Sequence, residues 1–413
     1  MRKNRKVREG VIFLLVAFVI SIGSTGMTGY ATIESVDNSQ VGWRLKTDKV
    51  DLFVTKNGAH IAPVTFCIDT KTPIQPYYIS PWQNDQLKGL PDPILVPLRG
   101  DFFCMPFGGN SEVVNGEKHP AHGEASSSIW KLVDISQDKA VTTLTLELET
   151  KVRKGKITEQ IHLVEGQNVV YTSHLLEGYS GKMPIGHHCT LDVPEEEGSL
   201  RVAVSKFEIG MTSPIIFSNP LNREYQALAI NEKFTDLTKV PVLYKDAPPA
   251  DCSSFPQRTG FTDLIQLLKK PSDEPAWTTA TCQSKGYLWF SLKDASVMPG
   301  TVFWISNKGR HGFPWDGRNR CLGLEETCSY FADGLGPSTR PNIITRAGFP
   351  TAIELSPETP TVVNFIQGVV EIPSDFRNVK AVKFGSNAVT FVSITGKEVT
   401  ADVNYRFLKT GKL

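Results

Sequence analysis

Short runs of alternating apolar and polar residues, separated by turn residues, recur along most of this chain and constrain its fold more than any other feature. Residues 142–149 place Leu144, Leu146 and Leu148 on one face, and residues 157–163 continue the alternation. Further strand-like runs lie at 50–64, 168–174, 287–292, 302–306, 361–366, 379–384 and 389–394. Strands at this spacing, divided by Gly, Pro and Asn, predict an all-β fold, namely a large antiparallel β-sandwich or barrel.

Helical periodicity is nearly absent, and residues 262–269 are the single good candidate for a short helix. Residues 219–273 hold few clear strands, so we predict an insertion-like lobe that packs on the main sheets. One sandwich domain over residues 50–413, including that lobe, is the predicted organisation.

The first 31 residues have the organisation of an export signal. Five basic residues lie among the first eight, and the apolar run 11–22 is followed by small and polar residues up to Ala31. The apolar run is short for a membrane span, so we predict a cleaved signal peptide, with an uncleaved anchor as the alternative. Residues 32–49 are then predicted to form a tether. The protein is therefore expected to be exported, periplasmic or extracellular, with membrane contact only through the leader.

The charge balance argues against a nucleic-acid partner. The chain has 44 Lys and Arg against 43 Asp and Glu, a net charge of +1, and no basic run follows the leader.

Seven cysteines are an odd number for an exported chain, so at least one is unpaired or pairs between chains. Cys252 with Cys282 and Cys321 with Cys328 are two candidate disulfides, although sequence alone leaves the connectivity open. Their spacing is not that of a zinc site.

Residues 99–130 are rich in groups that suit a binding cleft. Arg99 offers a fork of donors, the apolar residues 102–107 end at Gly108, and His122 follows. A buried strand followed by a surface loop is the alternative interpretation of the same stretch.

Two pairs of adjacent residues are candidates for acid–base chemistry. His187 and His188 lie at a predicted strand end, and because neighbours in a strand point to opposite faces, at most one of them faces a pocket. Glu325 and Glu326 follow an apolar run, where burial would raise a carboxyl pKa and suit a general base. A metal site built from His187, His188 and Cys189 is excluded, because adjacent strand residues cannot converge on one ion.

The sequence resembles the galactose-mutarotase (aldose 1-epimerase) superfamily. The similar elements occur in the family's order, at 57–61, 77–82, 99–108, 122–130, 185–194 and 323–327. The match to 185–194 selects His188 over His187, and the match to 323–327 selects Glu325 over Glu326. The resemblance implies a supersandwich of antiparallel sheets with the sugar pocket on its concave face.

In that family a glutamate takes the proton of the anomeric hydroxyl and a histidine protonates the ring oxygen, so that the sugar ring opens and recloses as the other anomer. The resemblance therefore implies Glu325 as the base and His188 as the acid. It also implies that Arg99, His122 and Asp263 hold the substrate, a mono- or oligosaccharide. Trp304, just upstream of Glu325, is expected to contribute to the same pocket. Proton transfer alone requires no cofactor.

The sequence also departs from the family pattern. Glu124 and Ser126 stand where the family has a phenylalanine and an arginine. A carbohydrate-binding protein that has lost turnover therefore remains an alternative. A polysaccharide lyase or hydrolase is another, and it would require a Tyr or Asn beside the acid–base pair or two acids at the separation typical of glycosidases.

Overall fold

The structure of the protein is a computed structural model that describes residues 32–216 and 218–413. The predicted leader, residues 1–31, lies outside the described residues. In the part of the chain that is described, no helix is both long and apolar enough to cross a membrane.

The described residues form 26 β-strands. In chain order, the first thirteen are β1 Thr32–Asp37, β2 Gln40–Lys46, β3 Asp51–Thr55, β4 Ile61–Thr65, β5 Phe103–Cys104, β6 Lys131–Asp138, β7 Val141–Thr150, β8 Gly155–Val164, β9 Val169–Glu177, β10 Gly181–Met183, β11 Ile185–His187, β12 Thr190–Asp192 and β13 Leu200–Val204. The others are β14 Ile209–Thr212, β15 Lys233–Phe234, β16 Ser254–Phe255, β17 Phe261–Leu268, β18 Ala276–Cys282, β19 Tyr287–Lys293, β20 Gly300–Asn307, β21 Arg320–Cys328, β22 Ile353–Leu355, β23 Thr361–Glu371, β24 Val379–Phe384, β25 Ala388–Ser393 and β26 Glu398–Asp402.

Helices are few and short within the same residues. The α-helices are α1 Leu335–Thr339, α2 Ile343–Arg346 and α3 Phe407–Thr410, and 3-10 turns lie at Pro93–Leu95, Glu124–Ser126 and Pro220–Asn222. The prediction of an all-β chain is confirmed.

An eight-stranded antiparallel sheet contains the candidate site. Its order is β15–β14–β17–β20–β21–β11–β5, and β12 also pairs with β21. In the central pair β20 and β21, Val302 lies opposite Glu325 and Thr301 lies opposite Glu326. Because strand side chains alternate between faces, the two glutamates project to opposite sides of this sheet.

A nine-stranded antiparallel sheet packs against one face of the eight-stranded sheet. Its order is β16–β13–β18–β19–β23–β9–β8–β7–β6. The facing sides meet in the main core, which includes Phe303 and Leu322 from the first sheet and Trp289 and Phe365 from the second. Each such side chain contributes about 1.5–3 kcal/mol through burial, so the two sheets form one sandwich.

Smaller sheets close the sandwich. The three-stranded sheet β24–β25–β26, together with α3, covers the outer face of the nine-stranded sheet through Phe391 and Phe407. The four-stranded sheet β1–β2–β3–β4 joins the main core through Trp43 and Leu52. β10 and β22 form a separate antiparallel pair.

Two of the predictions about local structure are wrong. Residues 32–46, predicted as a tether, form β1 and β2, and Trp43 and Leu45 on β2 are buried. Residues 262–269, predicted as a helix, belong almost entirely to β17. Asp263, Ile265 and Gln266 are all buried, so this strand is covered on both faces and lacks the alternation of a half-exposed strand. The predicted lobe therefore ends in a strand of the main sheet.

Neither candidate disulfide is present. All seven cysteines lie in the described residues, and every one is buried and unpaired. Cys321 and Cys328 lie seven residues apart on the single extended strand β21, which separates their Cα atoms by about 23 Å. A disulfide requires a separation below about 7 Å.

Candidate active site

The centre of the site is a contact between His188 and Glu325. Nε2 of the imidazole lies 3.2 Å from Oε1 of the carboxyl group. Glu325 retains 1% of its exposure and His188 6%. The two residues singled out by the resemblance are therefore brought together in a nearly water-free position.

Two backbone hydrogen bonds position this pair. The N–H of His188 donates to the carbonyl of Phe102, and the N–H of Leu324 donates to the carbonyl of Cys189, at 2.9 and 2.7 Å. His188 follows β11 directly, and Glu325 lies within β21, the strand with which β11 pairs. The pair is thus fixed by sheet register.

Burial pushes both groups towards their neutral forms. Desolvation raises the pKa of Glu325 well above its ordinary value, and desolvation together with the neighbouring His122 lowers the pKa of His188. Nδ1 of His188 lies 3.1 Å from Oγ1 of Thr190, and Nε2 faces the carboxyl group. One proton is therefore held between Oε1 and Nε2, and moving it to the imidazole creates a carboxylate base beside an imidazolium acid.

A stack of rings holds the histidine in place. Phe102 stacks on His188 with ring centroids 4.6 Å apart, and His60 stacks on the other side of Phe102 at 3.9 Å. Nε2 of His60 donates to the carbonyl of Ser126, and Nδ1 accepts the N–H of Arg99. Burial lowers the pKa of His60 to about 3, so it is a neutral support for the stack.

His122 stands beside the pair and offers a donor. Its ring meets that of His188 edge-on, with centroids 4.8 Å apart. Nδ1 accepts the N–H of Gly108 at 3.4 Å, which leaves the proton on Nε2. Burial lowers the pKa of His122 to about 4, so the ring is neutral and suited to donate a hydrogen bond from Nε2.

Three tryptophans cover the pair. Trp304 lies edge-on to His188 at 5.9 Å and to Trp315 at 5.7 Å, and Trp82 meets Trp315 at 4.7 Å. Trp315 belongs to residues 308–319, the loop that joins β20 to β21. Through Trp315, this loop forms part of the cover over the pair.

A cavity of about 630 Å³ opens next to this aromatic cover. Tyr78 forms part of its wall and also packs in one cluster with Trp304 and Cys321. The N–H of Tyr78 donates to the carbonyl of Thr190, two residues from His188. Tyr78 therefore links the wall of the cavity to the segment that carries His188.

No protein-family model and no curated protein sequence matches this chain. Solved structures do resemble it. A Klebsiella pneumoniae protein described as a candidate aldose 1-epimerase has a TM-score of 0.57 at 12% identity and covers 84% of each chain. A galactose mutarotase-like protein from Clostridium acetobutylicum has a TM-score of 0.55 at 12% identity, covering 83% of this chain and 99% of its own.

A candidate mutarotase from Salmonella typhimurium resembles the chain to a similar degree. Its TM-score is 0.53 at 12% identity, over 82% of this chain and 93% of its own. This chain has a galactose mutarotase-like fold. The fold that the sequence resemblance implied is confirmed.

Within this mutarotase-like fold, Arg99 is not brought to the His188–Glu325 pair, in contrast to the prediction. Its side chain is fully buried, and Nε donates to the carbonyl of Pro97. Its terminal nitrogens donate to the carbonyls of Asp37, Asn38 and Ala62 and to Oε1 of Gln83. Arg99 therefore ties the β1–β2 turn to the sandwich.

Asp263 is also held away from the pair. It lies opposite Ile305, whereas its neighbour Leu264 lies opposite Trp304, so Asp263 faces the opposite side of the sheet from Trp304. Its carboxyl group accepts the N–H groups of Ala227 and Leu228 at 3.0 and 2.9 Å. Burial raises the pKa of Asp263 to about 7. The residue holds the backbone of the lobe.

The two departures from the family pattern have local structural uses. Oγ of Ser126 donates to the carbonyls of Ala121 and Gly123. The carboxyl group of Glu124 accepts the N–H groups of Lys151 and Val152. Both side chains secure the turn that carries His122.

Tyr78 and Arg310 are residues beside the site that the sequence did not reveal. Tyr78 follows Tyr77, and neighbouring side chains in an extended segment point to opposite sides. The Tyr77 hydroxyl donates to Gln367 in the main core, so Tyr78 points away from that core. Arg310 lies in an irregular loop, where no periodic pattern indicates which way a side chain points.

Proposed function

We propose that this protein is an aldose 1-epimerase-like isomerase that interconverts sugar anomers by acid–base ring opening. The observation that supports this most strongly is the 3.2 Å contact between His188 Nε2 and Glu325 Oε1 in a buried site. Two titratable groups that share one proton, beside a neutral histidine donor and aromatic rings, suit a reaction that moves protons on a sugar.

The reaction uses the two groups in opposite directions. The Glu325 carboxylate takes the proton of the anomeric hydroxyl while the His188 imidazolium gives its proton to the ring oxygen. The bond between the anomeric carbon and the ring oxygen breaks, and an open-chain aldehyde forms. Rotation about the adjoining carbon–carbon bond and reversal of both proton transfers yield the other anomer, with the pair restored to its starting state.

His122 and the aromatic rings serve binding in this proposal. The Nε2 proton of His122 is available for a sugar hydroxyl, and Trp304 offers an apolar face to the ring carbons. Displacement of Trp315 admits the sugar and then excludes water from the pair.

Anomer exchange measured by NMR on a panel of free sugars tests the proposal. The wild type should accelerate exchange for at least one sugar, and His188→Ala should abolish the acceleration. His162→Ala is the matched control, because His162 lies on β8 against Phe407, on the far side of the nine-stranded sheet. Acceleration that survives in His188→Ala would refute the assigned roles.

A carbohydrate-binding protein without turnover is the second candidate. It is favoured by the near-complete burial of the pair, since Glu325 is 1% exposed. Saturable chemical-shift changes on sugar addition, without faster exchange for any sugar, would favour this candidate over the isomerase.

Export through the leader is a further proposal and rests on residues 1–31 alone. N-terminal sequencing of protein recovered outside the cytoplasm tests it. A mature N-terminus near residue 32 is expected for a cleaved signal, and recovery only with the cytoplasmic fraction would contradict export.

A further inference from the structure

Gly323 lies beside the Glu325 carboxyl group, on the same face of β21. The two residues are two positions apart in this strand, and alternate residues of a strand project to one face. A β-carbon added to Gly323 would lie 2.5 Å from Oε1 of Glu325 and 3.2 Å from its Cδ. The carboxyl group therefore occupies the space that a side chain at position 323 would fill.

The backbone does not require glycine at this position. The φ angle of Gly323 is not positive, and β21 pairs with β20 from Arg320 to Thr327 without a bulge. Glycine weakens the interior of a strand, and it often marks a place where another group approaches closely. At Gly323 the group that approaches is the Glu325 carboxyl group.

The residues opposite Gly323 in the sheet both contact His188. Thr190 lies opposite Gly323 on β12, and Trp304 lies opposite it on β20. Oγ1 of Thr190 lies 3.1 Å from Nδ1 of His188, and the Trp304 ring meets the imidazole edge-on. This row of three residues carries side chains at its two ends and none in the middle, which leaves a gap in this face of the sheet.

The gap sets the direction in which the Glu325 side chain points. Oε1 is the carboxyl atom that lies over Gly323, and the same oxygen lies 3.2 Å from Nε2 of His188. A carboxyl group excluded from the gap has to turn away from position 323, and this turn moves Oε1 away from the imidazole. The contact between Glu325 and His188 therefore depends on the absence of a side chain at position 323.

We propose that Gly323 is a positioning residue of the acid–base pair, because it provides the space in which the Glu325 carboxyl group meets His188. The proposal rests on the proposed isomerase function, to which it adds a residue that acts through Glu325. Reacting groups that are displaced by about 1 Å can lose about 100-fold in rate. A methyl group at position 323 is therefore expected to impair the reaction without removing either titratable group.

A double-mutant cycle between positions 323 and 325 tests the steric contact without any measurement of activity. Gly323→Ala should lower the midpoint of thermal unfolding, because the methyl group and Oε1 cannot share one space. In a Glu325→Ala background the same substitution should lower it clearly less, since the contact that remains is the Cβ of Trp304 at 3.0 Å. An equal effect in both backgrounds would assign the strain to Trp304 and overturn the proposal. If Gly323→Ala alone does not fold, the double variant should fold, and its failure would overturn the proposal as well.

Histidine-selective NMR tests whether the pair separates. The imidazole signal of His188 is assigned by its loss in His188→Ala. It should shift in Gly323→Ala, because Nε2 loses its carboxyl partner. An unchanged signal would show that the carboxyl group keeps its place beside a larger residue, and it would contradict the assigned role.

Gly210→Ala is the matched control for strain in the sheet. Gly210 lies on β14 of the same eight-stranded sheet, and a β-carbon there would lie 2.3 Å from the ring of Phe234. This variant should lower the unfolding midpoint and leave the His188 signal as in the wild type. An equal shift of that signal in both glycine variants would show that general strain moves the pair, and the role of Gly323 would fail.

Anomer exchange connects the contact to the reaction. For a sugar that the wild type accelerates, Gly323→Ala should lower kcat about 10- to 100-fold with little change in KM, because it misplaces a reacting group. Wild-type kcat in a folded Gly323→Ala variant would overturn the positioning role. If the wild type accelerates no sugar, the isomerase function fails, and the unfolding cycle and the His188 signal still decide whether Gly323 places the carboxyl group.

Discussion

The two faces of the eight-stranded sheet use the same residue types in different ways. His187 and Glu326 project into the main core. His188, the residue after His187, and Glu325, the residue before Glu326, form the pair on the other face. In the core, Lys293 contacts the Glu326 carboxylate, and the hydroxyls of Thr278 and Thr301 donate to it.

On the core face, each buried carboxylate has a charged or hydrogen-bonding partner. Nδ1 of His187 lies 2.9 Å from Oδ2 of Asp101, and Gln367 donates to the same oxygen. Burial alone would raise the pKa of Asp101 and of Glu326, but the contacts with His187 and with Lys293, respectively, outweigh it and hold both pKa values below normal. These carboxylates are ionised and structural.

In the described part of the chain, no Lys or Arg lies within 4.0 Å of the Glu325 carboxyl group on the other face. Glu325 meets His188 alone, and burial leaves both groups neutral and able to exchange a proton. The partner groups, not the residue types, decide which glutamate is ionised in the core and which is held in its neutral form. Four predictions challenge this comparison.

Glu325→Gln should produce the largest effect, a loss of about 10²- to 10⁴-fold in kcat for anomer exchange, because the amide cannot act as a base. Sugar binding and cooperative unfolding should be retained. Glu208→Gln, an exposed glutamate before β14, should exchange anomers at the wild-type rate. Full activity in Glu325→Gln would remove the distinction between the two faces.

Lys293→Met should destabilise the fold by about 3–5 kcal/mol, because Glu326 is left buried without its counterion. Denaturant unfolding followed by fluorescence measures the change. The double variant Lys293→Met with Glu326→Leu should recover part of the loss, since the uncompensated charge is gone. A single variant as stable as the wild type would show that the core face does not depend on this ion pair.

Glu325→Gln should also stabilise the protein against unfolding above pH 4.5. The folded-state pKa of Glu325 is raised above its ordinary value of 4.5, so the unfolded chain releases this proton at lower pH than the folded protein. The wild type therefore loses stability as the pH rises from 4.5 towards the folded-state pKa, and the glutamine variant does not. The difference in free energy of unfolding between the two proteins should be larger at pH 7 than at pH 5.

Asp263→Asn should have the smallest effect, a destabilisation of about 1 kcal/mol with little change in KM. Asp263 accepts backbone N–H groups of the lobe, and an asparagine oxygen retains part of this contact. Denaturation and anomer-exchange kinetics measured on one preparation give both quantities. A large rise in KM without loss of stability would support the sequence prediction that Asp263 binds the sugar.

Strands such as β7 and β8 could be predicted because each has one buried and one more exposed face. β7, for example, alternates buried and half-exposed residues along nearly its whole length, which is the pattern that Leu144, Leu146 and Leu148 indicate. β17, like β19 and β20, is buried on both faces, so alternation does not mark it, and its sequence was assigned to a helix instead.

The candidate site was only partly accessible from sequence. The residues alone left each neighbouring pair undecided, and the resemblance selected His188 and Glu325. Arg99 suggested a ligand contact because arginine is usually exposed, but its partners at residues 37 and 38 lie some sixty positions away in the chain. Such long-range contacts leave no pattern in the local sequence. The sequence around Arg310 likewise does not indicate where its side chain lies.

The unpaired cysteines also provide a built-in reporter of opening motions. They are spread over the molecule, from Cys67 after β4 to Cys189 beside His188 and Cys282 at the end of β18. A thiol reagent reaches each sulfur only when the surrounding strands separate. The order in which these sulfurs are alkylated under native conditions would therefore map which parts of the sandwich open first, without any introduced label.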